Sequence, residues 1–130
     1  MRSAMPLVLL AAVFGAALWL AACSGSGPSG GTPVRQDIAL GDRQKDWALV
    51  YFQSWRRERK GQYLRLARRQ MANAVRTYFT IQVRIGHSYP DFYNVDRKRL
   101  EGCRFLTEME RDAMQYHVML EDTDRVGCLR

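Results

Sequence analysis

The side chains of this 130-residue chain that could take part in bond-making chemistry are few and widely spaced. Cysteine stands at Cys23, Cys103 and Cys128, and histidine at His87 and His117. Thiolates and imidazoles together could hold zinc, but such sites are built on local pairs such as C-x-x-C or H-x-x-x-H, and neither spacing occurs. C-x-x-C-H, the haem-attachment pattern, is missing too. Asp91 follows His87 by four residues, and the two form an acid/base pair only if a turn brings them within about 3 Å. Glu108 and Asp112, at i and i+4, put two carboxylates on one helix face, a pattern equally at home on a solvated surface. No serine or cysteine has a nucleophile elbow around it. A nucleophile, a base and a stabiliser in mutual reach are the minimum for catalysis, so the expectation is a protein with no catalytic residues, no metal and no cofactor.

Cys23 has a different context. Arg2 precedes an apolar run from Leu7 to Leu20, the length and composition of a secretory h-region. The run closes on Leu20-Ala21-Ala22-Cys23 and opens onto Ser24-Gly25-Ser26-Gly27-Pro28-Ser29-Gly30-Gly31. This arrangement resembles the lipobox signal peptide of bacterial lipoproteins. The alternative is an uncleaved anchor, but a spanning helix wants about 20 apolar residues, and the stretch here is at the short end with Pro6 at its head. The resemblance implies that residues 1–22 are removed and that Cys23 becomes the first residue, carrying a diacylglyceryl group and an amide-linked acyl chain such as palmitate. Two or more chains give stable anchoring where one gives only marginal binding. Ser24, in place of an aspartate, resembles the pattern that permits sorting to the outer membrane of Gram-negative bacteria. The implied location is the cell envelope, on the outer membrane facing the periplasm.

With Cys23 assigned to lipid, the odd cysteine count of an exported chain is explained. Cys103 and Cys128 are then a natural pair in an oxidising compartment. A disulfide between them closes a loop of about 25 residues, worth about 3 kcal/mol in the chain-entropy treatment. A metal site using both cysteines with His87 or His117 is the weaker alternative.

The elements that must position these residues form one small domain. Residues 23–41 read as a lipidated, Gly/Ser/Pro-rich tether and 42–130 as the folded domain. No internal repeat is visible. Trp47, Val50, Tyr51 and Trp55 recur at spacings of three and four, with Asp42 as a cap, and predict a helix that Gly61 breaks or kinks. Leu64, Ala67, Met71, Ala74, Val75 and Tyr78 make a second, stronger helical stripe. Residues 79–85 are β-prone as well as periodic, which leaves helix and strand open. Gly86 ends the segment, and Pro90 makes 87–94 a connection. Leu100, Cys103, Leu106, Met109 and Ala113 form a third stripe, with Cys103 facing inward. The segment 117–129 reads as a short hairpin. The expected fold is mainly α: two or three helices with a C-terminal β-hairpin as a further element, stapled by one disulfide.

Charge is unevenly divided within a net +7. From Arg59 to Pro90 there are seven cationic residues and no acid, whereas from Glu101 to Asp124 seven acids face only Arg104 and Arg111. Arg65, Arg68, Arg69 and Arg76 form a candidate basic contact surface for anionic lipid, lipopolysaccharide or wall polymer, since the guanidinium fork fits phosphate and carboxylate. The competing reading is a solvated helix face paired with the acidic third helix. Nucleic acid is the usual partner of so basic a chain, but export and the lack of a recognition motif exclude it here. Tyr89, Phe92 and Tyr93, around Pro90 and Asp91, form a candidate aromatic contact turn, or else a plug over a small core. The reading that results is a lipid-anchored, noncatalytic accessory or assembly subunit with an envelope protein partner. Its alternative is a direct binder of anionic lipid or wall polymer, with a small hydrolase third.

Overall fold

Each helix of this domain buries a seam whose residues recur alternately at about four and three positions, the spacing that keeps one face of a 3.6-residue helix turned inward. The computed structural model describes residues 32–121 and 127–128, and the unit Pro33–Arg130 contains three helices. These are α1 (Thr32–Glu58), α2 (Gly61–Ile85) and α3 (Phe92–Gln115), running up, down and up. No strand occurs among the described residues. Helix α1 begins ten residues before Asp42, so 32–41, read from composition as part of a tether, are helical.

Short links enforce the antiparallel order. Arg59 and Lys60 alone join α1 to α2; Arg59 takes a positive φ of 55° and its N–H bonds the Trp55 carbonyl at 2.7 Å. At the other end Gly86, at φ 74°, donates its N–H to the Gln82 carbonyl and stops α2. Residues 79–85 are helical, because Ile81 and Gln82 extend the buried seam that contains Tyr78. The third helix is as expected, although its buried side is Val95, Gly102, Leu106, Met109 and Ala113, and Leu100 stays half exposed. Of the expected hairpin over 117–129, residues 122–126 and 129 lie outside those described.

The first helix differs from expectation in which face it buries. Ala48, Phe52 and Trp55 are interior, with Val34 and Ile38 packed against the core upstream, whereas Trp47 and Val50 are 57 % and 51 % exposed. Asp42 is a mid-helix residue and caps nothing. Two apolar stripes run along α1, and the one that carries Ala48, Phe52 and Trp55 is buried. Gly41 lies against the Tyr78 ring so closely that a methyl group there would stand 2.6 Å from the ring edge. Gly102 plays the same part between α2 and α3, where an added carbon would come 2.7 Å from Val75.

Asp42 instead joins all three helices. Its carboxylate accepts a hydrogen bond from the Tyr78 hydroxyl of α2 at 2.6 Å and from Lys98 Nζ of α3 at 2.8 Å. Partial burial pushes the carboxyl pKa up, but the bonds from Lys98 and Tyr78 and the charges of Lys98 and Lys45 more than reverse this, holding it below the ordinary 3.8. Burial and the Asp42 acceptor raise the Tyr78 phenol far above its ordinary 10.0, so it stays a donor.

Beyond α3 the chain doubles back. Val118 donates its N–H to the Ala113 carbonyl, and Gly127 packs on Val75 and Phe79 of α2. Cys128 is bonded to Cys103, with Sγ–Sγ 2.06 Å and Cα–Cα 5.7 Å. The disulfide fixes the far end of the tail to the middle of α3. Because both sulfurs are in this bond, neither is a thiolate ligand.

Two outcomes follow from these contacts. Gly41→Ala gains up to about 1 kcal/mol of helix propensity but overpacks a ring held by its own hydrogen bond, at about 1–3 kcal/mol; urea unfolding should show net destabilisation. Since the Asp42 carboxyl ionises below its unfolded value, its contribution is complete above about pH 4 and fades as pH falls through the folded pKa. Asp42→Asn should therefore lower Tm at neutral pH and flatten the acid limb of the stability profile.

Candidate contact surfaces

The four arginines of the expected basic surface do not share one environment. At 100° per residue, Arg65, Arg69 and Arg76 fall within a 40° arc of α2, and all three are exposed. Arg68, one residue round the helix, is only 8 % exposed. Its guanidinium donates to the Glu121 carbonyl at 2.5 Å and to Glu110 Oε1 of α3 at 3.2 Å, while its Nε has no partner. This side chain is a strut between α2, α3 and the tail. Arg69 pairs with the Glu121 carboxylate at 2.6 Å, so one acidic residue receives both neighbours. What is left of the basic stripe is Arg65 and Arg76, pointing to solvent. The competing expectation, pairing with the acidic third helix, describes Arg68 through Glu110, whereas the partner of Arg69, Glu121, lies beyond that helix; Arg65 and Arg76 face solvent.

At the α2–α3 corner, Phe92 stacks on His87 at 4.2 Å between ring centres and meets Tyr93 edge-on at 5.6 Å. Tyr93 is 71 % exposed, and Tyr89 and Phe92 are half buried. With Phe79, Gln82, Val83, Asp96 and Arg99, the rings of His87, Phe92 and Tyr93 line an open groove of about 580 Å³. Its floor is closed on itself. Gln82 donates to Asp96 at 2.9 Å and accepts from Arg99 Nε at 2.7 Å; Arg99 also donates to Asp96 at 2.8 Å and to the Gly127 carbonyl. Hydrogen bonds from Gln82 and Arg99 hold the Asp96 carboxyl below its ordinary value, with the nearby His87 adding to this. Every polar group of the floor thus has a protein partner, and the network ties the disulfide-held tail to α2 and α3. The core beneath is sealed by Val95, fully buried on the first turn of α3, so the aromatics lie over the corner rather than inside it. His87 stacks on Phe92, and no hydrogen bond or ion pair joins it to Asp91.

The carboxylates of α3 are likewise engaged. Asp112 accepts the Trp55 indole N–H at 2.9 Å, and Arg56 stands 3.5 Å from Glu108 and 3.9 Å from Asp112. Arg59 lies over the Tyr116 ring at 4.3 Å, and Trp55 meets Tyr116 edge-on. These contacts clamp the ends of α1 and α3 together. Glu101 does the same for Lys45 at 2.9 Å. Among the described residues no cluster of His, Cys, Asp and Glu has the geometry to hold a metal ion.

One surface escaped the sequence reading. Leu40, Trp47 and Val50 are exposed on α1, at 41 %, 57 % and 51 %, with Tyr51 beside Trp47 at 6.0 Å between ring centres. The periodicity was visible in the chain, but periodicity reports an apolar face without saying what covers it.

The arginines separate in a stability measurement. Arg68→Met breaks a buried pair and should cost about 3–5 kcal/mol in chemical unfolding, whereas Arg65→Ala and Arg76→Ala should each stay within about 0.5 kcal/mol of the parent. No family model matches the chain, and no curated protein or solved structure matches it at a significant level.

Proposed function

We propose that this protein is a lipid-anchored component of the bacterial cell envelope, held in the outer membrane through Cys23 and facing the periplasm. Its role is that of a noncatalytic accessory or assembly subunit that contacts an envelope protein partner. The observation that carries this reading is the distribution of the three cysteines. Cys103 and Cys128 are joined, a bond that persists in oxidising compartments such as the periplasm, and the remaining cysteine is the one that ends the apolar N-terminal run. A disulfide between α3 and the tail is also what a domain of this size needs, since a core of under a hundred residues is marginal without a staple.

Support for a noncatalytic role comes from where the polar groups go. Asp42, Asp96, Glu101, Glu108 and Asp112 each join one helix to another or brace α3, and Arg68 and Arg99 hold the tail. Groups so engaged position the backbone. A second reading, direct binding of anionic lipid or wall polymer, is favoured by Arg65 and Arg76, which extend from α2 without an acidic partner among the described residues. Ionic strength distinguishes the two, because polyanion binding through exposed charges weakens steeply with salt and an apolar protein interface does not.

The test is direct. Protein isolated from membranes of the native host should have an intact mass corresponding to a chain that starts at Cys23 with acyl groups attached, and Cys23→Ser should lose both the acyl mass and the membrane association. A polypeptide beginning at Met1 and free of lipid rejects the anchoring. For the role, crosslinking in intact envelopes followed by mass spectrometry should return one dominant protein partner in high salt; recovery of the protein alone counts against an accessory subunit.

A further inference from the structure

We propose that the outer face of α1 docks on an anionic lipid surface, so that the domain lies against the membrane rather than hanging free from it. Leu40, Trp47, Val50 and Tyr51 fall within 100° of one another on the helix at 100° per residue. The first three are exposed large apolar side chains. Arg43 is in the same arc, exposed, and no acidic residue enters the arc before Glu58 at the last turn. An aliphatic and aromatic stripe with an interspersed arginine is the make-up of a helix that lies in a headgroup interface, where Trp and Tyr rings favour the apolar-to-polar boundary. On its α2 side the arc borders Gln44, which accepts a hydrogen bond from Thr77. The outward arginines Arg65 and Arg76 are on that same neighbouring helix.

Chain length selects lipid as the occupant. Thr32, where α1 begins, is nine residues from Cys23, a distance that even a fully extended chain spans in only about 30 Å. An acyl chain at Cys23 therefore holds the start of α1 within one domain diameter of the headgroups, and Leu40 to Tyr51 begin less than about 15 Å further along the helix. Charge agrees with this assignment, since cationic side chains near an anionic leaflet are each worth about fivefold in partitioning. The reach argument rests on acylation of Cys23; the composition of the face does not.

The mature chain reports on itself. Residues 23–130 contain only Trp47, which is exposed, and Trp55, which is buried. The acylated protein, its N-terminus and lipid first established by intact mass, is reconstituted into phosphatidylcholine vesicles containing phosphatidylglycerol, with and without brominated acyl chains. Bromolipid should quench tryptophan emission in the parent and leave Trp47→Phe nearly unquenched, which assigns the signal to position 47. Arg43→Glu, outside the core, should reduce the quenching about threefold or more, as should replacing phosphatidylglycerol with neutral lipid. Quenching by aqueous acrylamide that is equal in vesicles and in buffer, with no bromolipid effect, overturns the proposal. So does a Trp47 shielded from acrylamide but untouched by bromolipid in a sample that sediments as a dimer, since a second copy would then cover the face. An unacylated mass disproves the anchor alone, and adding anionic vesicles to that protein still reads the docking.

Discussion

A single carboxylate sets the relation of the three helices. Asp42 on α1 accepts from Tyr78 on α2 and Lys98 on α3, and a shift of any helix by one turn, about 5.4 Å, would leave a charge or a hydroxyl without its partner. Apolar seams alone tolerate such slips, because one aliphatic contact is much like the next. The glycine one residue before Asp42 belongs to the same device. It lets the Tyr78 ring lie across the backbone of α1, which is what aims the hydroxyl at the carboxylate.

Around this joint, large and small residues are matched across each contact. Gly41 faces Tyr78, and Gly102 faces Val75. Helices that approach so closely gain dispersion contacts and lose room for error. The tail completes the packing. Gly127 sits on Val75 and Phe79, its carbonyl accepts from Arg99, and the adjacent Cys128 is bonded to Cys103, so the covalent staple and the Gln82–Asp96–Arg99 network secure the same point. Further up the tail, Glu121 receives Arg68 through its carbonyl and Arg69 through its carboxylate. Two of the four arginines expected on a binding surface are instead bonded to Glu121, beyond the end of α3.

What is left over by the fold is therefore informative. Arg65 and Arg76 on α2 make no ion pair among the described residues, Tyr93 at the corner is exposed beside Phe92, and Leu40, Trp47 and Val50 are exposed on α1. These groups are exposed and lie outside the network that joins the helices. The aromatic groove at the α2–α3 corner has the shape of a pocket, but its polar floor is already saturated by protein partners, and a ligand there would have to displace bonds that hold the tail.

The sequence by itself determined the helical class, the position of the breaks near Gly61 and Gly86, the second and third buried stripes, and the pairing of Cys103 with Cys128. Those features depend on local periodicity, on backbone-permissive residues and on counting. Only the tertiary structure decided which stripe of α1 is buried, that 79–85 continue a helix, and that Arg68 is a strut while Arg65 is a surface charge. Asp42 is the clearest case: three residues from three helices, 36 and 56 positions apart in the chain, form one node. The physical reason is the same in each instance. Propensity and periodicity describe a helix alone, whereas burial depends on the volume and polarity that other helices bring to its surface, and that information is spread over the whole chain.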